Sequence, residues 1–260
     1  MSEERAFAVE IARAAGRCTL EYFGRDDLQV EQKENETPVT AADRAAEKLL
    51  RARIEERYPE DGVVGEEYGV KESTNGRRWI LDPVDGTKSF ERGVPLYGVL
   101  VGFEVNGVVD VGVIHMPALG EEVHARRGDG ATWVTGIGTD AERARPARVS
   151  TVATPEAGLV CMTSAGGFAR IERPALFLEF SSAFRQMRGW GDCYAHLLVA
   201  TGRAEAAIDP ILEIWDAAPL QVCIEEAGGR FTDRDGRATH HGRSGISTNG
   251  LVHDAVMRRF

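Results

Sequence analysis

The sequence predicts a mixed α/β fold with an α+β first half, and two contrasting rhythms predict it. Before about residue 145, two helical patterns precede a run of strand patterns, which reads as helices over a largely antiparallel sheet. After it, short helices and strands alternate, as they do in an α/β layer. The chain accordingly divides into an N-terminal half, 1–145, and a C-terminal half, 146–260, with the boundary softest between Ala141 and Val149. A chain of 260 residues can bury a large core across two such coupled halves.

Each element has its own signal. Phe7, Ile11, Ala14, Ala15, Cys18 and Tyr22 recur at helical spacing, and Gly24 is placed to end that helix. A charged loop follows, from Asp26 to Pro38. Thr40 opens a second helix that runs through Leu50 and Ile54 to Tyr58, and Asp43 at its third position completes a likeness of a capping box. Strands are expected at 63–64, 79–81, 97–105 and 108–115, the last two joined by the hairpin signal Asn106-Gly107. Two more, 121–126 and 131–134, flank a glycine-rich turn. In the second half, strands are expected at 159–163, 204–208, 230–232 and 245–248. Helices are expected there at 193–202, 215–227 and 251–260. Asp233-Arg234-Asp235-Gly236 carries part of a calcium-loop pattern without its remaining ligands and reads as a hairpin turn.

Composition narrows the function. A formal net charge of -10 argues against nucleic acid and anionic membranes as partners. The opening residues lack the apolar run of a signal peptide, and no segment has the length and apolarity to span a bilayer. Cys18, Cys161, Cys193 and Cys223 form no CxxC pair and read as reduced thiols, which points to the cytoplasm.

The apolar strand Trp79-Ile80-Leu81 ends in Asp82-Pro83-Val84-Asp85-Gly86-Thr87. Two carboxylates so close repel one another and lose hydration, and a hard divalent cation between them relieves both costs. A glycine directly afterwards permits the tight backbone that aims N–H groups at an anion. The plain alternative is an Asp-Pro turn, since all these residue types favour turns. Further carboxylates at the ends of elements weigh against it: Glu66 and Glu67 follow Gly65, and Asp216 follows Trp215. Taken singly, Glu66 reads as a solvated loop acid and Asp216 as a helix cap. Together with Asp82 and Asp85 they have the form of an oxygen-ligand cluster suited to Mg2+. Gly86-Thr87-Lys88-Ser89 has the wrong order for a P-loop, and no Gly-x-Ser-x-Gly elbow is present. His240-His241 sits in a polar turn with no third partner in view and is expected at the surface.

Read together, these motifs resemble the inositol monophosphatase superfamily. The carrying residues are Val39-Thr40-Ala41-Ala42-Asp43, Gly65-Glu66-Glu67, the run from Trp79 to Phe90, Trp215-Asp216-Ala217-Ala218 and Glu226-Ala227-Gly228-Gly229. The likeness spans almost the whole chain in order. It implies a layered αβαβα sandwich, dependence on Mg2+ with two or three ions, hydrolysis of a small-molecule phosphate monoester, and a homodimer. It also implies roles. Glu66, Asp82, Asp85, the carbonyl of Val84 and Asp216 would hold the metal, so that most ligands come from the first half. The backbone of Gly86 and Thr87 would grip the phosphate. Thr87 and Glu66 would orient the attacking water, Asp43 would polarise Thr87, and Lys33 would lie on an active-site flap, unless it is a solvated charge. Within the superfamily, Arg188-Gly189-Trp190-Gly191-Asp192-Cys193-Tyr194 and Ala207-Ile208-Asp209-Pro210 resemble the branch that hydrolyses histidinol phosphate. Asp192 and Asp209 would face the cationic substrate, although Asp192 could instead only cap the helix it opens. Inositol-1-phosphate, fructose bisphosphate and a 3′-phosphonucleotide are the other substrates this resemblance admits. A non-catalytic protein that keeps the fold for binding would be marked by a lost metal ligand, and none is missing.

Overall fold

The computed structural model describes residues 1–32 and 38–260. Its first helices are α1 (Glu3–Leu20) and α2 (Ala41–Arg57), with the short antiparallel pair β1 (Val30–Gln32) and β2 (Pro38–Thr40) between them. Ser2 caps α1 by accepting the Arg5 amide at 3.3 Å. Thr40 caps α2 with the expected box: the Thr40 amide donates to Asp43 at 2.8 Å, and Thr40 Oγ1 accepts from the Ala42 amide at 3.2 Å. Gly24, beyond α1, adopts a left-handed φ of 72°.

The strands that follow are β3 (Gly62–Gly65), β4 (Gly69–Lys71), β5 (Arg77–Asp85), β6 (Gly98–Val105), β7 (Val108–Met116), β8 (Glu121–Arg126), β9 (Gly130–Thr135) and β10 (Arg143–Pro146), with the one-turn helix α3 (Thr87–Phe90) after β5. They form one eight-stranded sheet in the order β10-β9-β8-β7-β6-β5-β3-β4. Only the β3–β5 pairing is parallel. Asn106 and Gly107 turn the β6–β7 hairpin with φ of 51° and 83°, as a primed two-residue turn requires.

The second half builds a five-stranded sheet from β11 (Leu159–Met162), β12 (Gln186–Arg188), β13 (Ala206–Asp209), β14 (Arg230–Thr232) and β15 (Gly245–Thr248), in the order β12-β11-β13-β15-β14. Its helices are α4 (Ala165–Arg170), α5 (Ala175–Ala183), α6 (Asp192–Ala200), α7 (Ile214–Glu226) and α8 (His253–Met257).

Side-chain alternation sorts these elements into layers. Trp79 and Leu81 on β5 face α1 and α2, packing with Phe7, Ile11, Leu50 and Ile54. Ile80, between them, faces the opposite way into a core with Leu197, Leu220 and Val222 of α6 and α7. Cys161 and Ala207 close that core from the second sheet, while their neighbours Val160, Met162, Ala206 and Ile208 pack against Phe168, Phe180 and Val256 on the far side. The result is the expected αβαβα sandwich, with α6 and α7 shared between the sheets. The expected division at residue 145 falls inside β10.

Strongly periodic segments lie where the sequence places them. Five short strands, β1, β2, β4, β10 and β12, and the helices α3, α4 and α5 do not appear in the sequence reading, being too brief or too irregular to show a period. The last helix is only five residues, not ten, since Leu251 and Val252 form a bend. Asp233–Gly236 is a turn in which Asp233 Oδ1 accepts the amides of Asp235 and Arg237 at 2.9 and 2.8 Å. His240 is a correction. It is buried, with Nε2 at 2.8 Å from Glu104 and Nδ1 at 3.2 Å from Gln221, because the carboxylate of Glu104 draws it in. His241 beside it is exposed, as expected.

Candidate active site

β5 and its irregularity build the core of the site. In a regular strand Asp82 and Asp85, three apart, would point to opposite faces. Instead the pairing with β6 slips between them: Asp82 sits opposite Leu100 and Asp85 opposite Gly98, so three steps on β5 meet two on β6. This bulge turns both carboxylates to one side, and Pro83, which has no amide to pair, is tolerated there. The plain turn reading also holds in part, since Asp82 Oδ1 accepts the Val84 amide at 2.9 Å. Gly86 then takes a φ of 84°, and a Cβ there would lie 3.0 Å from the Leu96 carbonyl, so only glycine makes this corner.

The third carboxylate arrives from the other half of the chain. Asp216 sits at the third position of α7 and accepts the Glu213 amide at 2.9 Å. It therefore caps its helix, and that cap fixes its aim. One oxygen from each of Asp82, Asp85 and Asp216 lies within 4.8 Å of the others.

Electrostatics makes this trio unusual. At that spacing, with an effective dielectric constant near 20, each ionised pair would repel by on the order of 3 kcal/mol. No lysine or arginine among the described residues forms an ion pair with any of the three. Burial, followed by the charges of Glu66, Asp85 and Asp216, pushes Asp82 well above the usual carboxylate range. Burial also lifts Asp85 and Asp216 to about 7; Asp216 adds to the rise at Asp85, and hydrogen bonds restrain both. A set of carboxylate oxygens that repel one another and lack a cation is the donor set a hard divalent metal fits. Glu66 adds its charge to Asp43, Asp82 and Asp216 without joining the tight trio.

Around the trio stand the other expected residues. Thr87 Oγ1 lies 3.0 Å from the Val84 carbonyl and 3.4 Å from Asp43 Oδ1. A hydroxyl has one proton, so the Val84 carbonyl and Asp43 are alternative acceptors for it. Burial lifts Asp43 to about 6, against the hydrogen bonds from Thr40. Asp192 is the first residue of α6 and carries a φ of 53°, a left-handed conformation that costs a residue with a Cβ about 1 kcal/mol. Its Oδ2 would lie 3.2 Å from a Cβ on Gly86, which sets its carboxylate at the glycine corner. Burial and the charges of Asp85 and Asp209 raise it well above its ordinary range, and Lys88 opposes them.

Asp209 lies close to the same group of acids, since its charge adds to the rise at Asp85, Asp192 and Asp216. It is buried, and both its oxygens are engaged, by Thr163 Oγ1 at 2.5 Å and His196 Nε2 at 3.1 Å. It ends β13, and Thr163 links it to the Asp192 amide. Lys33 lies outside the described residues.

Three contributors escape a sequence reading. Glu47 of α2, fully buried, accepts the amides of Glu67 at 2.7 Å and Tyr68 at 3.2 Å and is paired with Arg51, so it anchors the loop that carries Glu66. The amide of Cys193 donates to Asp85 Oδ2 at 2.5 Å, tying the start of α6 to the acidic turn. Thr163 receives the Asp192 amide at 3.0 Å. The Glu47–Arg51 spacing is an i,i+4 signal, but it predicts only a surface pair.

The family model described as "Inositol monophosphatase family" matches residues 1–259. A histidinol-phosphatase of Chlorobaculum parvum is 45% identical over 97% of this chain and 92% of its own. One of Mycobacterium tuberculosis is 39% identical over 99% and 97%. Among solved structures, an IMPase of Thermotoga maritima superposes with a TM-score of 0.87 at 28% identity, covering 99% of this chain and 96% of that one. With the acidic bulge, the α7 carboxylate and a family match along the whole chain, the protein belongs to the inositol monophosphatase family.

Proposed function

We propose that this protein is a Mg2+-dependent phosphomonoesterase that hydrolyses histidinol phosphate to histidinol and inorganic phosphate in histidine biosynthesis. The observation that carries the reaction class is the trio Asp82, Asp85 and Asp216, three buried carboxylates converging from two halves of the chain. The substrate is supported by the relatives named for that activity and by Asp192 at the glycine corner. Histidinol carries an ammonium and an imidazole, which carboxylates suit; inositol is neutral.

In this reading Glu66, Asp82, Asp85, the Val84 carbonyl and Asp216 would hold two or three Mg2+ ions. When bound, the metal supplies Lewis-acid neutralisation of the phosphoryl oxygens. The amides of Gly86 and Thr87 hold the phosphate at the left-handed corner. Thr87 and Glu66 orient a water for in-line attack on phosphorus; the bond to the alcohol oxygen breaks as the new P–O bond forms, and a proton of the water ends on that oxygen, so that the free alcohol and inorganic phosphate leave. Asp43 accepts toward the Thr87 hydroxyl and holds its direction. Asp192 meets the cationic end of the alcohol. A homodimer and a cytoplasmic setting belong to the same reading; among the described residues, no helix is long and apolar enough to cross a membrane.

The test is phosphate release from a panel with Mg2+ present: histidinol phosphate, inositol-1-phosphate, fructose bisphosphate, a 3′-phosphonucleotide and an aryl phosphate. Histidinol phosphate is expected to lead. Asp192→Asn is expected to cut its efficiency by one to two factors of ten, the size of a lost charge-assisted hydrogen bond of about 1.5–3 kcal/mol, while sparing the aryl ester. A preference for inositol-1-phosphate refutes the substrate, and full activity after exhaustive chelation refutes the metal.

A further inference from the structure

An unbroken line of hydrogen bonds runs from inside the five-stranded sheet to the backbone of Asp192. Ser247 Oγ on β15 lies 2.6 Å from His196 Nδ1 on α6, and His196 Nε2 lies 3.1 Å from Asp209 Oδ2 on β13. Thr163, just past β11, donates to Asp209 Oδ1 at 2.5 Å and accepts the Asp192 amide at 3.0 Å. Ser247 and His196 are fully buried.

The direction of each bond follows from chemistry. An ionised carboxylate only accepts, so both His196 Nε2–H and the Thr163 hydroxyl donate to Asp209. With its proton committed, the Thr163 oxygen can turn only lone pairs toward the Asp192 amide. Chain geometry reinforces the contact, because a Cβ on Gly191 would lie 2.6 Å from Thr163 Cα. One residue on, the Cys193 amide holds Asp85. Asp192 is thus pinned on both sides, in a left-handed conformation that persists only where the surroundings over-determine it. A buried polar line is costly unless every member is satisfied, and each one here has its partner.

We propose that His196, Asp209 and Thr163 are positioning residues that lock the backbone of Asp192 and so present its carboxylate to the cationic group of the substrate. The lock itself is a property of the fold; its use in specificity rests on the histidinol phosphate reading above. In this role Asp209 acts through Thr163.

Thr163→Val removes the hydroxyl at nearly constant volume, and Thr163→Ser keeps it. With Mg2+ present, Thr163→Val should raise KM for histidinol phosphate by roughly tenfold, the scale of one lost hydrogen bond in a charged site, with much less change in kcat. Thr163→Ser should restore most of the loss, and p-nitrophenyl phosphate should show a far smaller change in either variant. A second readout needs no substrate: the Asp192 amide should exchange its proton with solvent at least about tenfold faster in Thr163→Val. Equal losses on both esters, an unchanged KM, or no rescue by Ser overturns the role in specificity. Unchanged amide exchange overturns the lock. If the wild-type protein ignores histidinol phosphate, the substrate reading falls, and the exchange measurement alone decides the lock. Should Thr163→Val not fold, Thr163→Ala carries the same comparison, since it too removes the hydroxyl that accepts the Asp192 amide.

Discussion

At the scale of the residue, the site stores repulsion that a metal would release. Asp85 lies in a trio with no cationic partner among the described residues, and its carboxyl is lifted to about 7, chiefly by burial. Asp85→Asn should therefore raise the melting temperature of the metal-free protein while abolishing both the Mg2+-dependent rise and turnover. Thermal melts with chelator and with Mg2+ check this, and a metal-free variant less stable than wild type would count against stored repulsion. Thr87 tests the water-orienting role. Thr87→Ala should lower kcat by roughly 100-fold or more, as expected for a lost acid–base element, with KM little changed. Steady-state kinetics decides it, and normal turnover would remove Thr87 from the chemistry. Much of this site was legible in the sequence, since Asp82, Asp85, Gly86 and Thr87 fall within one stretch of six residues and Asp216 stands next to a conspicuous Trp215. The role of Asp209 was not legible, because a carboxylate near the end of a strand looks the same in sequence whether it faces ligand or core. Glu47, Thr163 and His196 stayed hidden because their partners are 20 or more residues away or join them only through the sheet.

At the scale of the element, function depends on how closely α7 lies on the first sheet, since α7 carries Asp216. Gly112 of β7 makes room for it: a Cβ there would lie 2.5 Å from the Pro219 carbonyl oxygen and from Val222 Cγ1. Gly102, on the neighbouring strand β6, faces the same helix with looser spacing, its nearest contacts being 3.5 Å from Ala218, Ile80 and Pro219 side-chain atoms. Gly112→Ala must push the α7 backbone away and should cost about 1–3 kcal/mol of stability. It should also weaken Mg2+ stabilisation by displacing Asp216. Gly102→Ala fills ordinary van der Waals space and should leave Mg2+ stabilisation near wild type. Urea unfolding of both variants, with and without Mg2+, separates them; equal effects would refute the close-approach argument. Elements of this length were readable from their periodicity. The β5 bulge was not, because a slip in register is a relation between two strands, and the sequence of β5 shows only a proline between two acids.

At the scale of the whole molecule, one middle layer of helices joins both sheets, so a charge buried in either sheet bears on the stability of the whole. Two buried histidines resist taking up such a charge. His124 on β8 is 7% exposed and accepts Arg5 Nε at 2.9 Å on its Nδ1; burial holds its pKa down at about 4. His253 at the start of α8 is fully buried between the hydroxyls of Thr248 and Thr232, at 3.0 and 3.3 Å, and burial likewise lowers it to about 4. In the unfolded chain both titrate near 6.5. Between about pH 6.5 and 4 the unfolded state therefore binds protons that the folded state refuses, so stability falls as the solution is acidified through that window. Each histidine contributes a loss on the order of 2–3 kcal/mol across it. The raised site carboxylates act with the opposite sign, because the folded state takes up protons there first. A difference between two proteins that share those carboxylates cancels their effect. His253→Gln should be somewhat less stable than wild type at pH 7.5, where it lacks the fitted imidazole. The gap should close or reverse by about 2–3 kcal/mol on going to pH 4.5, since glutamine has no proton to refuse. Urea unfolding of both proteins in the same Mg2+ buffer at each pH measures this gap, and a gap constant from pH 7.5 to 4.5 would show that His253 is not held neutral by its burial.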